Sequence, residues 1–255
     1  MKTFRLGIAG GCLNTGFGLI PLNSIYHRVL ARSLKEQNGA RLRVHLGNLE
    51  SPDPVDHLRE LGHLLGSKNL DALIYQIRPE FLWMLSTLIW KLRDRTGLAS
   101  IRTNTFQKSD SGWSLEEPLA RPIGKLRAIN WAAARATGVT RRGWRCLRET
   151  LAEVKRRCVS HGTPLAILGP VGGPWYLDSF LDFVASELRS MLVELDLPCI
   201  ELHTLDCRLE RDCWFDDGRH VSALGHARIA ELALPIVTRM TNAKLNGVKP
   251  KATED

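Results

Sequence analysis

No two cysteines in this chain are spaced C-x-x-C, no apolar run is long enough to cross a bilayer, and no glycine turn has G-x-G-x-x-G spacing. Each absence removes a class. Without paired cysteines, the six at positions 12, 146, 158, 199, 207 and 213 argue against a zinc site, and no metal or other cofactor is expected. Without an apolar run of about 18 residues or more, no membrane span is expected. Lys2 and Arg5 precede only a short apolar segment broken by glycines and Asn14, which is not a signal peptide. A cytoplasmic protein with reduced thiols is the expectation. The missing dinucleotide fingerprint is matched by a second strand that ends "VHLGN" with no acid, so NAD-type binding is set aside.

Charge of one sign is in short supply: 27 Asp and Glu face 35 Lys and Arg, a net +8. That balance suits an anionic partner, although a solvated basic surface is the plainer reading. The basic residues are spread along the chain, with small clusters at Arg141–Arg142 and Lys155–Arg157 and no motif for nucleic acid. At 255 residues and 44% hydrophobic composition, the chain can bury a sizeable core as one domain.

What is present is an alternation of short apolar runs with longer segments of helical period. Strands are expected near Phe4–Ala9, Arg41–Leu46, Asp71–Ile77, Pro164–Gly169 and Pro198–His203. Helices are expected near Leu19–Glu36, Pro54–Leu65, Phe81–Arg95, Pro122–Thr137, Gly143–Ser160, Tyr176–Glu194 and Ala223–Met240. This pattern predicts a doubly wound α/β fold with a five-stranded parallel sheet, whose ligands bind at the carboxyl ends of the strands. The domain is read as 1–241, with a lid-like insertion at about 96–142 that breaks the alternation, and a disordered tail at 242–255.

Four stretches fall at those carboxyl ends. "GIAGGCLNTGFG" places Cys12 in a glycine-rich turn between the first strand and a helix, where backbone N–H groups favour a thiolate. A small buried thiol is the plainer reading of that cysteine. "DDGRHVSALGH" follows the fifth strand. Asp217 can accept the Nδ1–H of His220, three residues on, and leave Nε2 to manage a proton; Asp216 competes for that role. "VHLGNLESP" offers the Gly47 N–H and the Asn48 amide as oxyanion donors, or is a plain strand-end turn. Arg78, in "LIYQIRPEFL", is a substrate-binding or oxyanion candidate, or pairs with a neighbouring acid.

Taken together these blocks resemble the SGNH/GDSL hydrolase family. "GGCLNTG" aligns with its G-D-S-L block, with Gly10 at the glycine, Leu13 at the leucine and Gly16 at a later glycine. Cys12 then stands where the family has its nucleophilic serine. Gly47 aligns with the second-block glycine. Asp217 and His220 align with the final D-x-x-H block, and Gly225 and His226 with the glycine and second histidine that come after it. The resemblance implies a flavodoxin-like three-layer α/β/α fold. It also implies an acyl ester or thioester as substrate, with catalytic Cys12, His220 and Asp217 and oxyanion donors at Cys12 and Gly47, to which the Asn48 amide is added from its place in the turn. The third block departs: where the family has G-x-N-D this chain has "IRPE", so an oxyanion asparagine is missing or replaced by Arg78 or Asn48. Gly11 stands in place of the usual Asp. Two readings are open. One is an esterase, thioesterase or acyltransferase, with an acyl carrier protein or CoA thioester among the candidate donors. The other is a binding protein on a retired hydrolase.

Overall fold

The computed structural model describes residues 3–14, 20–39, 41–48, 54–77, 107–109, 112–114, 139–169, 178–200, 213 and 221–246. The strands are β1 (Thr3–Gly10), β2 (Arg41–Asn48), β3 (Ala72–Gln76), β4 (Gln107–Ser109), β5 (Gly112–Ser114), β6 (Leu165–Leu168) and β7 (Cys199–Ile200). The helices are α1 (Tyr26–Asn38), α2 (Pro54–Lys68), α3 (Val139–Ser160), α4 (Asp178–Glu194) and α5 (Ala223–Leu245).

Five strands form one parallel sheet in the order β2-β1-β3-β6-β7. The chain winds outward from β1 to β2, then crosses back to β3 on the other side. The strand order therefore reverses at β1, where an open α/β sheet forms its ligand crevice. The ladder runs to the carboxyl edge: Ile77 N–H donates to the Leu168 carbonyl at 2.8 Å and Gly169 N–H to Ile200 at 3.1 Å.

The period-two alternation of β1 sorts its side chains between two cores. Phe4, Leu6 and Ile8 pack with Tyr26, Leu30 and Leu34 of α1 and with Ile229, Ala233 and Val237 of α5. Ala9 faces the other way, with Leu73, Tyr75 and Ile77, against Leu61 and Leu65 of α2, Leu147, Leu151 and Val154 of α3, and Leu188 and Leu192 of α4. Each helix buries one stripe at i, i+3 or i+4 spacing. Layers of helices thus cover both faces of the sheet, and the expected three-layer α/β/α fold with five parallel strands is the observed one.

Some boundaries move. The first helix starts at Tyr26 rather than Leu19, because Pro21 leads into a 3-10 turn at Leu22–Ser24 and Ile25 is extended. α3 begins at Val139, so the end of the insertion expected at 142 lies inside a helix. α5 runs through Leu245, so residues 242–245, expected as the start of a tail, are its last turn. Within the insertion, β4 and β5 pair as an antiparallel hairpin. The helices expected at Phe81–Arg95 and Pro122–Thr137 lie outside the described residues. Among the described residues no helix is long and apolar enough to cross a membrane.

At the amino ends of the strands, Asp71 is buried and ties three elements together. It accepts from the Arg5 backbone N–H at 2.8 Å and from the Arg5 guanidinium at 3.3 and 3.2 Å. Lys244 Nζ of α5 lies 3.3 Å away. Burial pushes this carboxyl up, but the bonds from Arg5 and Lys244 outweigh it and hold its pKa below the ordinary value. Asp71→Asn should therefore destabilise the fold by about 2 kcal/mol in urea unfolding at neutral pH. Because the folded carboxyl titrates below the unfolded one, the wild-type advantage is complete above about pH 4 and fades below it. A difference between the two proteins that stays constant from pH 7 to pH 3 would contradict this assignment.

Candidate active site

β1 delivers the glycine-rich turn to the carboxyl edge. Gly10, its last residue, has no room for a side chain: a Cβ there would meet the Gln76 side chain and lie 2.8 Å from Asn14 Nδ2. The Gly11 N–H donates to Gln76 Oε1 at 3.2 Å, which pins the turn to β3. Cys12–Asn14 form one 3-10 turn, closed by Asn14 N–H on the Gly11 carbonyl at 3.0 Å. Leu13 plugs the turn into the core shared by α1 and α5. Cys12 is held between a bonded glycine and a buried leucine, with its backbone at the carboxyl end of the strand where the sheet order reverses.

Register brings the second block alongside. Ala9 pairs with Gly47 and Gly10 with Asn48. Gly47 and Asn48 therefore flank the last two residues of β1, two to three positions short of Cys12. Arg78, the residue after Ile77, lies outside the described residues, as do Asp216, Asp217 and His220.

The described residues on either side of the segment that carries Asp217 and His220 are Cys213 and Val221. Ser222 N–H donates to the Cys213 carbonyl at 2.9 Å, joining the two sides of that segment. Val221, the residue after His220, is buried in the α1/α5 core. Ser222 caps α5, its hydroxyl accepting the Gly225 N–H at 3.3 Å. Gly225 permits the close approach: a Cβ there would collide with Val221 and the Cys213 carbonyl.

A buried polar chain joins the two sides. The Tyr26 hydroxyl donates to Asn14 Oδ1 at 2.9 Å. The Tyr26 backbone N–H donates to His226 Nδ1 at 3.2 Å. Tyr26 is the first residue of α1, and its N–H is one of the donors a helix start leaves unsatisfied. Ile25, at the N-cap, has no side-chain acceptor, so the imidazole of α5 caps α1 instead. Accepting at Nδ1 makes His226 neutral with its proton on Nε2. Burial, and secondarily the charge of His27, push its pKa down to about 4. His27 Nε2 lies 3.0 Å from the Asn14 carbonyl and must donate to it. Burial, with the charge of Arg28 assisting and the Asn14 bond opposing, also holds the His27 pKa low. Among the described residues, Asn14 Nδ2 and His27 Nδ1 have no hydrogen-bond partner.

Asn14, Tyr26 and Gln76 were not singled out by sequence reasoning. Asn14 belongs to the quoted turn and His226 to the quoted final block, but the bond between Tyr26 and His226 spans 200 positions and leaves no local pattern. A second buried histidine–tyrosine pair, His57 Nδ1 with the Tyr75 hydroxyl at 3.0 Å, lies on the side of the sheet where Tyr75 packs, in the opposite core.

No protein-family model matches this sequence, and no curated protein matches it. Solved structures do. TesA superposes with a TM-score of 0.58 at 12% identity, covering 92% of this chain and 99% of that one. The psychrotrophic esterase EstA from Pseudoalteromonas sp. gives 0.54 at 12% identity, over 93% and 98% of the two chains. A lipase/acylhydrolase from Enterococcus faecalis gives 0.51 at 12%, over 94% and 96%. At such identity the likeness is one of fold alone.

The neutral His226 makes stability depend on pH. Its folded pKa lies below the unfolded value of 6.5, so its contribution is complete above about pH 6.5 and is lost as pH falls toward 4. Full titration over that window is worth on the order of 3 kcal/mol. Denaturant unfolding of wild type and His226→Gln at pH 7.0 and 4.5 should show a distinctly shallower loss in the variant. Equal losses would remove His226 from the acid sensitivity of the fold.

Proposed function

We propose that this chain is an acyl-transfer enzyme that works through a Cys12 thiolate on an ester or thioester. One observation carries the reading. The register Ala9–Gly47 and Gly10–Asn48 sets the Cys12 turn and the second-block glycine side by side at the switch point of a fold shared with an esterase and an acylhydrolase. Gly11 spends its N–H on Gln76, so the Cys12 and Gly47 N–H groups are assigned to the oxyanion, with the Asn48 amide as a third donor.

In this reading Cys12 Sγ attacks the acyl carbon and a C–S bond forms while the carbonyl π pair moves to oxygen. His220 Nε2 takes the thiol proton, and Asp217 holds the Nδ1–H. The oxyanion then collapses, the bond to the leaving oxygen or sulfur breaks, and His220 returns the proton to the leaving group. Water or a second acceptor hands a proton to His220 and attacks the acyl-cysteine, restoring the thiol. A thioester donor exchanges one C–S bond for another and reaches the acyl-enzyme near thermoneutrality. An oxoester must climb to a thioester. That asymmetry favours a thioester donor, and the net +8 suits an acyl carrier protein or CoA conjugate. Arg78 is assigned to a carboxylate or phosphate of the donor.

The absence of the third-block asparagine at "IRPE" favours one alternative, a binding protein without turnover. Loss of one oxyanion donor typically costs about 2.7–4 kcal/mol of transition-state stabilisation. Iodoacetamide labelling read by mass spectrometry separates the two readings. Cys12 should react fastest, with an apparent pKa well under about 8.5. Cys158, buried and with its thiol pushed up to about 12, is the unreactive reference in the same molecule. Cys12→Ala should abolish turnover of acyl thioesters, and His220→Ala should lower kcat by about 10²–10⁴. Cys12→Ser should shift preference toward p-nitrophenyl oxoesters. Full turnover in Cys12→Ala would remove Cys12 as the nucleophile, and an inert Cys12 with no turnover in the wild type would leave the binding-protein reading.

A further inference from the structure

We infer that the buried chain Asn14–Tyr26–His226 couples the Cys12 turn to Ser222 and Cys213, the described residues on either side of the segment that carries Asp217 and His220, making Tyr26 and His226 positioning residues for the proposed site. Three observations support the coupling. Tyr26 is fully buried and bonds in both directions, hydroxyl to Asn14 and backbone N–H to His226. Asn14 closes the turn that holds Cys12, through its own N–H on Gly11. His226 donates its backbone N–H to Ser222 at 2.9 Å, and Ser222 donates in turn to Cys213. The path from Gly11 to Cys213 therefore runs through hydrogen bonds and single residues, buried from Gly11 to His226 and half-buried at Ser222. The Tyr26 and His226 rings also lie nearly parallel, with centroids 6.1 Å apart and planes 13° apart.

The consequence is mechanical. Sequence separates the turn and the loop by about 200 residues, and neither strand β1 nor helix α5 alone fixes one against the other. Tyr26, at the start of α1, is the point that both share. Loosening its hydroxyl bond should be felt at Ser222, and loosening the His226 bond should be felt at Asn14. The coupling itself requires no chemistry; the positioning role rests on the acyl-transfer reading.

The test uses the full chain with Tyr26→Phe, His226→Gln and their double variant. Thr241→Val, buried on α5 away from the chain and bonded to Val237, is the control. Native-state hydrogen exchange is read at the amides of Asn14 and Ser222, both of which are hydrogen-bonded. Each single variant should speed exchange at both amides by about three- to tenfold, and the double variant by less than the product of the two. The control should move both only by its change in global stability. Tyr26→Phe that speeds Asn14 but leaves Ser222 unchanged overturns the coupling, whatever the protein catalyses. On an acyl thioester, each variant should lower kcat about tenfold with KM unchanged, the signature of lost positioning. Coupled exchange with unaltered kcat in an active enzyme overturns the positioning role. Wild type with no turnover and an inert Cys12 overturns the acyl-transfer reading instead, and exchange alone then decides the coupling.

Discussion

The N–H of Tyr26 is a donor that helix α1 cannot satisfy for itself, and the way this protein satisfies it organises much of one face. A serine or aspartate at the N-cap is the ordinary solution. Here the cap position is Ile25, committed to the core, and the acceptor comes from His226 on the last helix. That choice forces α5 to begin close to the start of α1, which in turn places the Ser222 cap and the Cys213 contact beside the sheet's carboxyl edge. The side chain of the same tyrosine reaches back to Asn14 and fixes the first turn. One residue thus joins the first strand's exit, the first helix and the last helix, three segments with little else in common in the sequence.

Much of the fold was legible because its signals are local. The five strands were read from short apolar runs, and the parallel order follows from helices between them, which antiparallel hairpins would not need. Errors of boundary have local causes too: Pro21 and the 3-10 turn behind it delay α1, and Leu245 continues a helix whose buried stripe persists through Thr241. The site was legible only in part. Cys12 and Gly47 could be placed because each lies within two residues of the end of a strand whose register is simple. The partners that tie the turn down could not. Gln76 alternates like any strand residue, Tyr26 reads as a core aromatic, and the histidine that caps α1 is about 200 residues away. Hydrogen bonds between distant segments depend on packing, which periodicity does not encode.

Stability alone does not require this polar chain. A buried network contributes little net energy over apolar residues of the same shape, and any donor left without a partner subtracts from it. Asn14 Nδ2 is such a donor among the described residues. An apolar plug joining Leu13, Ile25 and Val221 would hold the two helices as well. What hydrogen bonds add is direction: they fix orientation to within a few tenths of an ångström, where dispersion tolerates sliding. Orientation matters where two loops must present reacting groups to one another and matters little in a surface that only binds. Retention of the directional solution beneath Cys12 therefore weighs on the side of catalysis. The absence of an asparagine in "IRPE" weighs on the other side, by an amount that the proposed thiolate nucleophile and thioester donor would offset if they start from a lower barrier than a serine on an oxoester.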